Sequence, residues 1–258
     1  MRANQIKRFL ACVLDSVGIC RLGLSVQRSL YGPYIRAINY HDVSAGDVDN
    51  FESQLRWYCD RFASVSHDDL AAFLHDGDWR KDKPGIILSF DDGLRSHFEV
   101  VAPILERNGF TGWFFVPSEA AQLSVKELAA LGKAHFVGSH TRTHCRMLVT
   151  VPSETVIDEI KSSRTDLEAA LSSPVDTFAW VGGEEESYSR EAASLIRDTY
   201  SFGFMTNNAV ITSKCDPYQL QRTNIEADYP LWLVRFQLSG LMDIFYYLKR
   251  RRVNRLTA

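Results

Sequence analysis

Two short strings of the chain hold the side chains best suited to chemistry. An Asp-Asp-Gly string carries Asp91 and Asp92, and a His-x-x-x-His string carries His140 and His144. Each string follows an apolar run that predicts a buried strand, so each lies where a strand opens into a loop, the usual place for active sites in α/β folds. Asp and Gly are also ordinary turn formers, and a single His is often only hydrogen-bonded. Their joint occurrence favours one divalent cation with a base beside it.

The elements that must position these strings alternate between strand and helix. Strands are predicted over 34–40, 85–90, 110–116, 134–138, 176–181, 202–205 and 220–225. Helices are predicted over 5–30, 51–62, 68–74, 95–108, 125–131, 153–171, 190–199 and from residue 230 onward. Repeated alternation indicates a parallel sheet, and the number of strands favours a barrel over an open sheet.

Composition and charge limit the class of protein. With 258 residues, 45% of them hydrophobic, the chain suits one large globular domain or two small ones. The net charge of −3 divides into +5 for residues 1–36, +5 for 231–258 and −13 between them. An acidic body argues against nucleic-acid binding, whereas the basic ends could meet an anionic membrane surface. The five cysteines are scattered and form no CxxC pair, which favours a reducing, cytoplasmic setting.

The sequence predicts a central barrel domain over residues 34–228. An amphipathic helix is predicted before it, over residues 1–33, and another after it, over residues 229–258. The apolar patch at 9–14 after a basic start resembles a signal peptide, but Asp15 interrupts it and no small-x-small cleavage site follows. No run reaches the roughly 18 uninterrupted apolar residues of a membrane-spanning helix. The basic C-terminal helix either packs across the barrel bottom or lies on a lipid headgroup layer, paired with the N-terminal helix.

The two strings resemble the first two motifs of the polysaccharide deacetylase family (NodB homology, carbohydrate esterase family four). Those motifs read Thr/Ser-Phe-Asp-Asp-Gly and His-Ser/Thr-x-x-His, and strand order and spacing match over residues 35–226. The resemblance implies a distorted (β/α)7 barrel. It also implies that Asp92, His140 and His144 hold one divalent metal ion, with zinc as first choice and cobalt or nickel as alternatives, and that Asp91 is the catalytic base. One carboxylate and two imidazoles leave coordination positions open for water and a substrate oxygen.

The chain departs from the common family pattern at the general acid. The usual acid is a histidine in a late Leu-x-His motif, and no histidine follows His144. His41, in a Tyr-His-Asp string after the first predicted strand, resembles the acid of bacterial poly-N-acetylglucosamine deacetylases, which comes from the N-terminal end of the domain. First and last strands are neighbours in a closed barrel, so His41 could face the same mouth. The alternative is a strand-end histidine with only a structural hydrogen bond.

The third motif of the family is also altered. Trp180, in a Phe-Ala-Trp-Val-Gly-Gly string, could form an aromatic wall for a sugar or could be a core tryptophan. The following run of three glutamates, 184–186, is interpreted as a solvated loop. Arg222 on the last predicted strand could orient Asp91 or form a plain surface ion pair.

These residues predict a metal-dependent hydrolase that removes the acetyl group from an N-acetylated amino sugar. Water activated by the metal would attack the acetamide, with Asp91 as base and His41 as acid. The substrate would be a glycan or a lipid-linked saccharide of surface polysaccharide biosynthesis, and the enzyme cytoplasmic and membrane-peripheral, touching an anionic surface through its basic termini. The alternatives are hydrolysis of another C–N bond, as in a ureide, and a sugar-binding protein whose site has decayed.

Overall fold

Seven parallel strands close into a barrel in the computed structural model, which describes residues 3–257. The barrel strands are β1 (Ile35–Tyr40), β3 (Gly85–Asp91), β4 (Gly112–Val116), β5 (Phe136–Ser139), β6 (Thr177–Ala179), β7 (Phe202–Met205) and β8 (Leu220–Asn224). Strand β1 pairs with both β8 and β3, which closes the ring, and β2 (Ala63–Ser64) pairs only with the start of β3. The (β/α)7 barrel predicted from the sequence is therefore confirmed.

The period-two alternation of the strands separates an inner core from an outer one. On β1, Ile35 and Ala37 point into the barrel, whereas Ile38 and Tyr40 pack against the surrounding helices. The inner core is closed at one end by a helix that crosses the start of the strands, His67–Asp76. This helix contributes the apolar side chains of Leu70 and Phe73. At the other end the inward positions become polar: Asn39, Ser89, Asp91 and Arg222. The strand ends therefore deliver their functional groups to one mouth.

The helices cover the outside of the barrel, except α4 (His67–Asp76), which lies across the start of the strands. They are α1 (Ala3–Ser16), α2 (Ile19–Tyr31), α3 (Val48–Arg61), α4 (His67–Asp76), α5 (Ala102–Arg107), α6 (Val125–Leu131), α7 (Ser153–Ile157), α8 (Ser163–Leu171), α9 (Arg190–Thr199), α10 (Leu231–Leu238) and α11 (Leu241–Thr257). Two of them, α4 and α6, begin with capping boxes in which a serine and an acidic residue three positions later satisfy each other's backbone N–H groups. A π-helical turn, His97–Val101, precedes α5, and another, Asp158–Ser162, joins α7 to α8.

Each predicted terminal helix is two helices, so the single helix expected over 5–30 is wrong. Gly18 (φ 83°) separates α1 from α2, and Gly240 (φ 86°) separates α10 from α11. Glycine adopts this left-handed backbone without a Cβ clash, and the chain turns there. Among the described helices none alone is long and apolar enough to cross a membrane; only the α1–α2 pair, from residue 8 on and bent by 76°, meets that test by length and composition.

The terminal helices are tied to the barrel wall by a buried polar network. Arg36, on the outer face of β1, pairs with Asp243 of α11 at 2.7 Å and also donates to Gln27 of α2. Gln27 in turn donates to the carbonyl of Leu238 in α10. Helix α11 therefore runs along the outside of the barrel, and the expectation that it crosses the barrel bottom is wrong, because α4 occupies that position.

Candidate active site

The Asp-Asp-Gly string forms a tight turn at the end of β3. Asp91 is the last strand residue, and Asp92 and Gly93 follow with φ of 80° and 59°. A Cβ at Gly93 would lie 2.9 Å from the Cβ of Ala121, so both the backbone angle and the space require glycine there. The left-handed turn sends the side chains of Asp91 and Asp92 to different partners, which lets one be a ligand and the other a base.

Asp91 is held by Arg222, which the sequence placed on the last strand. The guanidinium makes two hydrogen bonds to the carboxylate, at 2.6 and 2.8 Å, and also donates to Asn39 and Ser89. Both side chains are buried, so the plain surface ion pair is excluded. Burial alone would raise the pKa of Asp91, but the charge of Arg222 outweighs it and lowers that pKa below its ordinary value. The carboxylate therefore stays ionised.

The histidine string leaves β5 in a strained loop. His140 is buried and donates from Nδ1 to the carbonyl of Ala179 at 2.8 Å, which leaves Nε2 unprotonated in the neutral ring and directed toward the aspartates. Thr141 and His144 both adopt left-handed backbone, with φ of 68° and 66°. Such conformations cost about 1–3 kcal/mol each and persist only where the surroundings impose them.

The conformation of this loop is stabilised by Glu159, a buried residue of the second π-helical turn. Its carboxylate accepts hydrogen bonds from the backbone N–H groups of Arg142 and Thr143, both at 2.9 Å, and one from the Thr143 hydroxyl. Two consecutive amides around one carboxylate form an anion-binding concavity that fixes the loop on which His144 stands. Glu159 is thus a positioning residue.

Asp92, His140 and His144 form a cluster whose donor set suits a divalent cation. Asp92 Oδ1 lies 3.0 Å from Nε2 of His144 and 3.6 Å from Nε2 of His140, and one ligand atom from each residue lies within 4.8 Å of the others. Metal–ligand bonds of about 2.0–2.2 Å place neighbouring ligand atoms at such separations. Burial alone would raise the pKa of Asp92, but the hydrogen bond from His144 and nearby imidazole charge lower it to about 2. The residues present therefore fit the predicted metal site.

His41 lies at the same mouth, in the loop that follows β1. Its Nδ1 donates to Glu226 at 3.2 Å, and the half-exposed ring lines one cavity with both aspartates and both histidines. The hydrogen bond to Glu226 is the largest influence on His41 and raises its pKa above the ordinary value. His97, another histidine of the chain, is buried and uses Nε2 to hold the backbone carbonyl of His41 at 2.7 Å. His41 therefore lies at the barrel mouth with its backbone bound by His97, and its role as the acid stays a prediction.

The cavity has a volume of about 340 Å³. Its wall beyond the cluster includes Trp180, Glu184 and Glu186. Glu186 is exposed and Glu184 and Glu185 are partly exposed, which agrees with the interpretation of 184–186 as a solvated loop. The indole ring of Trp180 is 1% exposed and stacks on Tyr188 with 4.7 Å between ring centroids. Of the two expectations for Trp180 the structure favours the core tryptophan, and contact with a substrate stays a prediction.

Sequence reasoning missed Glu226 and Glu159. Each makes its contact with a residue on another element. The sequence separation is 185 residues for the His41–Glu226 pair and 16 residues for the Thr143–Glu159 pair. The available signal for Glu226 was its place just after the last strand, next to the first one in a closed barrel. No local pattern distinguishes Glu159 from the other acidic residues of its helix.

Comparison with known proteins agrees with the fold and with the predicted resemblance. Residues 79–199 match the family model of polysaccharide deacetylases. A deacetylase of Streptococcus pyogenes, PplD, solved with acetate, is 20% identical, with 79% of this chain and 98% of that one aligned at a TM-score of 0.69. IcaB from Ammonifex degensii is 16% identical over 83% and 98% of the two chains (TM-score 0.65). A de-N-acetylase of Aggregatibacter actinomycetemcomitans is 13% identical over 79% and 99% (TM-score 0.66). No curated protein sequence matches the chain.

Proposed function

We propose that this chain is a carbohydrate-deacetylating hydrolase that removes acetyl groups from an N-acetylated amino sugar. The match of residues 79–199 to the polysaccharide deacetylase family model supports this proposal. The observation that supports this most directly is the arrangement of two adjacent carboxylates. Asp92 belongs to a three-residue ligand cluster, whereas Asp91, whose Oδ2 lies 3.8 Å from Nε2 of His140, is bound by two hydrogen bonds from Arg222. Hydrolysis of an unactivated amide needs both an electrophilic centre and a separate base, and this arrangement supplies the residues for each.

Asp91 acts as the base in this proposal. The reaction converts an acetamide and water into acetate and a free amine, and Asp91 accepts a proton from the attacking water. The ion pair with Arg222 keeps the carboxylate ionised at neutral pH, although it also makes the carboxylate a weaker base. A divalent cation held by Asp92, His140 and His144, with zinc as first choice and cobalt or nickel as alternatives, would lower the pKa of water and polarise the acetamide carbonyl.

His41 acts as the acid. An amide leaves poorly as an anion, so its nitrogen must be protonated while the C–N bond breaks. The Nδ1 hydrogen bond to Glu226 orients the ring and leaves Nε2 to donate its proton toward the cavity. Because Glu226 raises the pKa of His41, the ring retains this proton to a higher pH than an isolated imidazole does.

The finer assignment is a saccharide of surface polysaccharide biosynthesis, as a glycan or in lipid-linked form, modified by a cytoplasmic enzyme at the membrane. The basic residues at both chain ends support a membrane-peripheral enzyme, since they complement an anionic surface. An open cavity at the barrel mouth can receive one sugar of a longer chain. The identity of that sugar and the cytoplasmic localisation stay predictions.

Acetate release tests the proposal. The purified protein, loaded with zinc, is given N-acetylglucosamine oligosaccharides, and acetate is measured with Asp91→Asn and Asp198→Asn in parallel. Asp198, exposed on α9, is a matched carboxylate control. We expect Asp91→Asn to lose about 10²–10⁴-fold in kcat, and Asp198→Asn to stay within about twofold of the wild type.

The same assay separates the alternatives. Consumption of a cyclic ureide without acetate release from any N-acetylhexosamine glycan would replace the deacetylase assignment by another C–N hydrolase. Saccharide binding without turnover of either would indicate a decayed site. Full activity in Asp91→Asn would remove the role of Asp91 as base, and full activity in His41→Ala would mean that another group protonates the leaving amine.

A further inference from the structure

The terminal helices carry most of the exposed large apolar side chains of the described chain. Outside residues 9–31 and 244–248 only four such side chains are exposed: Val125, Leu148, Val149 and Ile157. Those within the two segments, which together form the terminal-helix surface, are Phe9, Leu10, Val13, Val17, Ile19, Leu22, Val26, Leu30, Tyr31, Ile244, Phe245, Tyr247 and Leu248. An apolar concentration of this kind marks a surface that meets a partner or a membrane.

The exposed apolar residues form stripes on their helices. On α2 they recur at the helical repeat, from Ile19 through Leu22 and Val26 to Leu30, whereas the buried residues of this helix, Cys20 and Gln27, lie on a different face. Helices α1, α2 and α11 each pack on α10, so the stripes belong to one layer of the molecule. The inward faces are already satisfied, and the stripes lie on the faces that point away from this packing.

Charge selects an anionic lipid bilayer as the occupant, and we propose that the terminal-helix surface seats the protein on the headgroup layer of such a bilayer. Arg8, Arg21 and Arg251 are exposed on the same three helices. Each chain end carries +5 while the residues between them carry −13, so an anionic plane attracts the ends and repels the body. Two copies of this surface would instead bring like charges together.

The same surface is connected to the active-site mouth through α11. Lys249 pairs with Glu184, which lines the cavity, and Arg252 pairs with Glu185 at 2.5 Å. Arg250 holds the backbone carbonyls of Asn207 and Asn208, next to the wall residue Thr206. The helix that would lie in the membrane interface, α11, thus also supports the rim of the cavity. This part of the inference rests on the proposed function, and its consequence is that the substrate is a saccharide carried on a lipid.

Vesicle binding by the full chain tests this inference. Leu22, Leu248 and Val125 are each 62% exposed, but only the first two lie on the terminal-helix surface. Cosedimentation is measured with phosphatidylglycerol–phosphatidylcholine vesicles and with phosphatidylcholine alone. We expect Leu22→Glu and Leu248→Glu each to weaken binding at least about tenfold, because an apolar contact is lost and a negative charge is added. Val125→Glu should bind like the wild type.

A second variant tests the charge. Arg21→Gln with Arg251→Gln keeps the apolar stripes, and we expect about fivefold weaker binding to anionic vesicles for each arginine removed. Thermal unfolding of every variant checks that it is folded, and if Leu22→Glu does not fold, the arginine pair decides. Equal binding to neutral vesicles, or full binding by these variants, would overturn the proposal. The proposal would also be overturned if analytical ultracentrifugation showed a wild-type dimer that Leu22→Glu dissociates and the wild type did not bind vesicles.

Activity on two substrates keeps this inference separate from the proposed function. A soluble N-acetylated oligosaccharide should be hydrolysed equally by Leu22→Glu and the wild type, whereas an N-acetylated glycolipid in anionic vesicles should be hydrolysed at least about tenfold more slowly by Leu22→Glu. Vesicle binding by a wild type that hydrolyses neither substrate would refute the deacetylase assignment while leaving the bilayer contact. Equal rates of both proteins on the glycolipid would refute the bilayer contact as the route to substrate.

Discussion

Replacing Arg222 by methionine should strongly destabilise the protein, because the Arg222–Asp91 pair is almost completely shielded from water. The side chains are 0% and 4% exposed. The guanidinium of Arg222 donates two hydrogen bonds to the carboxylate of Asp91 and also donates to Asn39 and Ser89. In Arg222→Met the carboxylate would remain buried without its counter-charge, so we expect the free energy of unfolding to fall by about 3–5 kcal/mol. An exposed pair would contribute only about 0–1 kcal/mol.

A double-mutant cycle isolates the pair. Unfolding in urea is followed for Arg222→Met, Asp91→Asn and the double variant, all with a chelator present so that metal binding does not contribute. Each single variant leaves one buried charge unpaired, whereas the double variant leaves none, so the double variant should lose less than the sum of the two by about 2 kcal/mol or more. Arg222→Lys is the control that keeps the charge but not the two-pronged geometry, and it should fall between.

The activity of the same variants tests the role of the pair in catalysis. Without Arg222 the carboxylate of Asp91 is no longer fixed at the mouth, and we expect kcat to fall about 10²-fold even where the protein remains folded. A loss of stability below about 1 kcal/mol, or strict additivity in the cycle, would contradict the buried pair. Unchanged kcat in Arg222→Met would show that Asp91 needs no partner to act.

Three further predictions follow from the described contacts. Glu226→Gln removes the carboxylate whose hydrogen bond, and to a smaller extent whose charge, raises the pKa of His41, so the alkaline fall of kcat/KM should move to lower pH; an unmoved limb in the pH–rate profile would assign the acid to another group. Glu159→Gln loosens the loop that carries a ligand, and chelator competition should show about 10–100-fold weaker zinc binding, whereas unchanged affinity would mean that the loop holds itself. The carboxylate of Asp176 lies 2.7 Å from Nε2 of His67 and raises the pKa of that ring, so the protonated pair stabilises the fold below the ordinary histidine value and this stabilisation is lost as pH rises through the folded pKa. Urea unfolding should therefore show a larger loss for His67→Gln at about pH 5.5 than at about pH 9, and equal losses would contradict the pair.

Much of the barrel could be predicted from local sequence signals. The helices expected over 125–131 and 190–199 have the predicted bounds, because a capping serine precedes each one. The breaks at Gly18 and Gly240 were missed, because apolar periodicity continues on both sides of a single left-handed residue. The two-residue strand β2 was also missed, since its pairing with β3 depends on tertiary contacts and has no periodicity of its own.

The candidate site divides in the same way between local and distant information. The adjacent aspartates and the two histidines could be predicted, because each pair stands in one short string after one strand. The sequence also placed Arg222 and His41 correctly at the mouth. Glu159 could not be predicted, because nothing local to it reveals which loop it will meet. Glu226 was missed although its place just after the last strand brings it near the first strand of a closed barrel.

The distant partners matter because the local backbone at the site is unfavourable. Asp92, Thr141 and His144 adopt left-handed conformations that cost about 1–3 kcal/mol each in residues other than glycine. The strings therefore cannot hold this geometry on their own, and Glu159 together with the glycine turn at Gly93 must impose it. The geometry of the ligand cluster thus depends on contacts supplied by the barrel. A chain that kept both strings but lost these supports would retain the motif and lose the site.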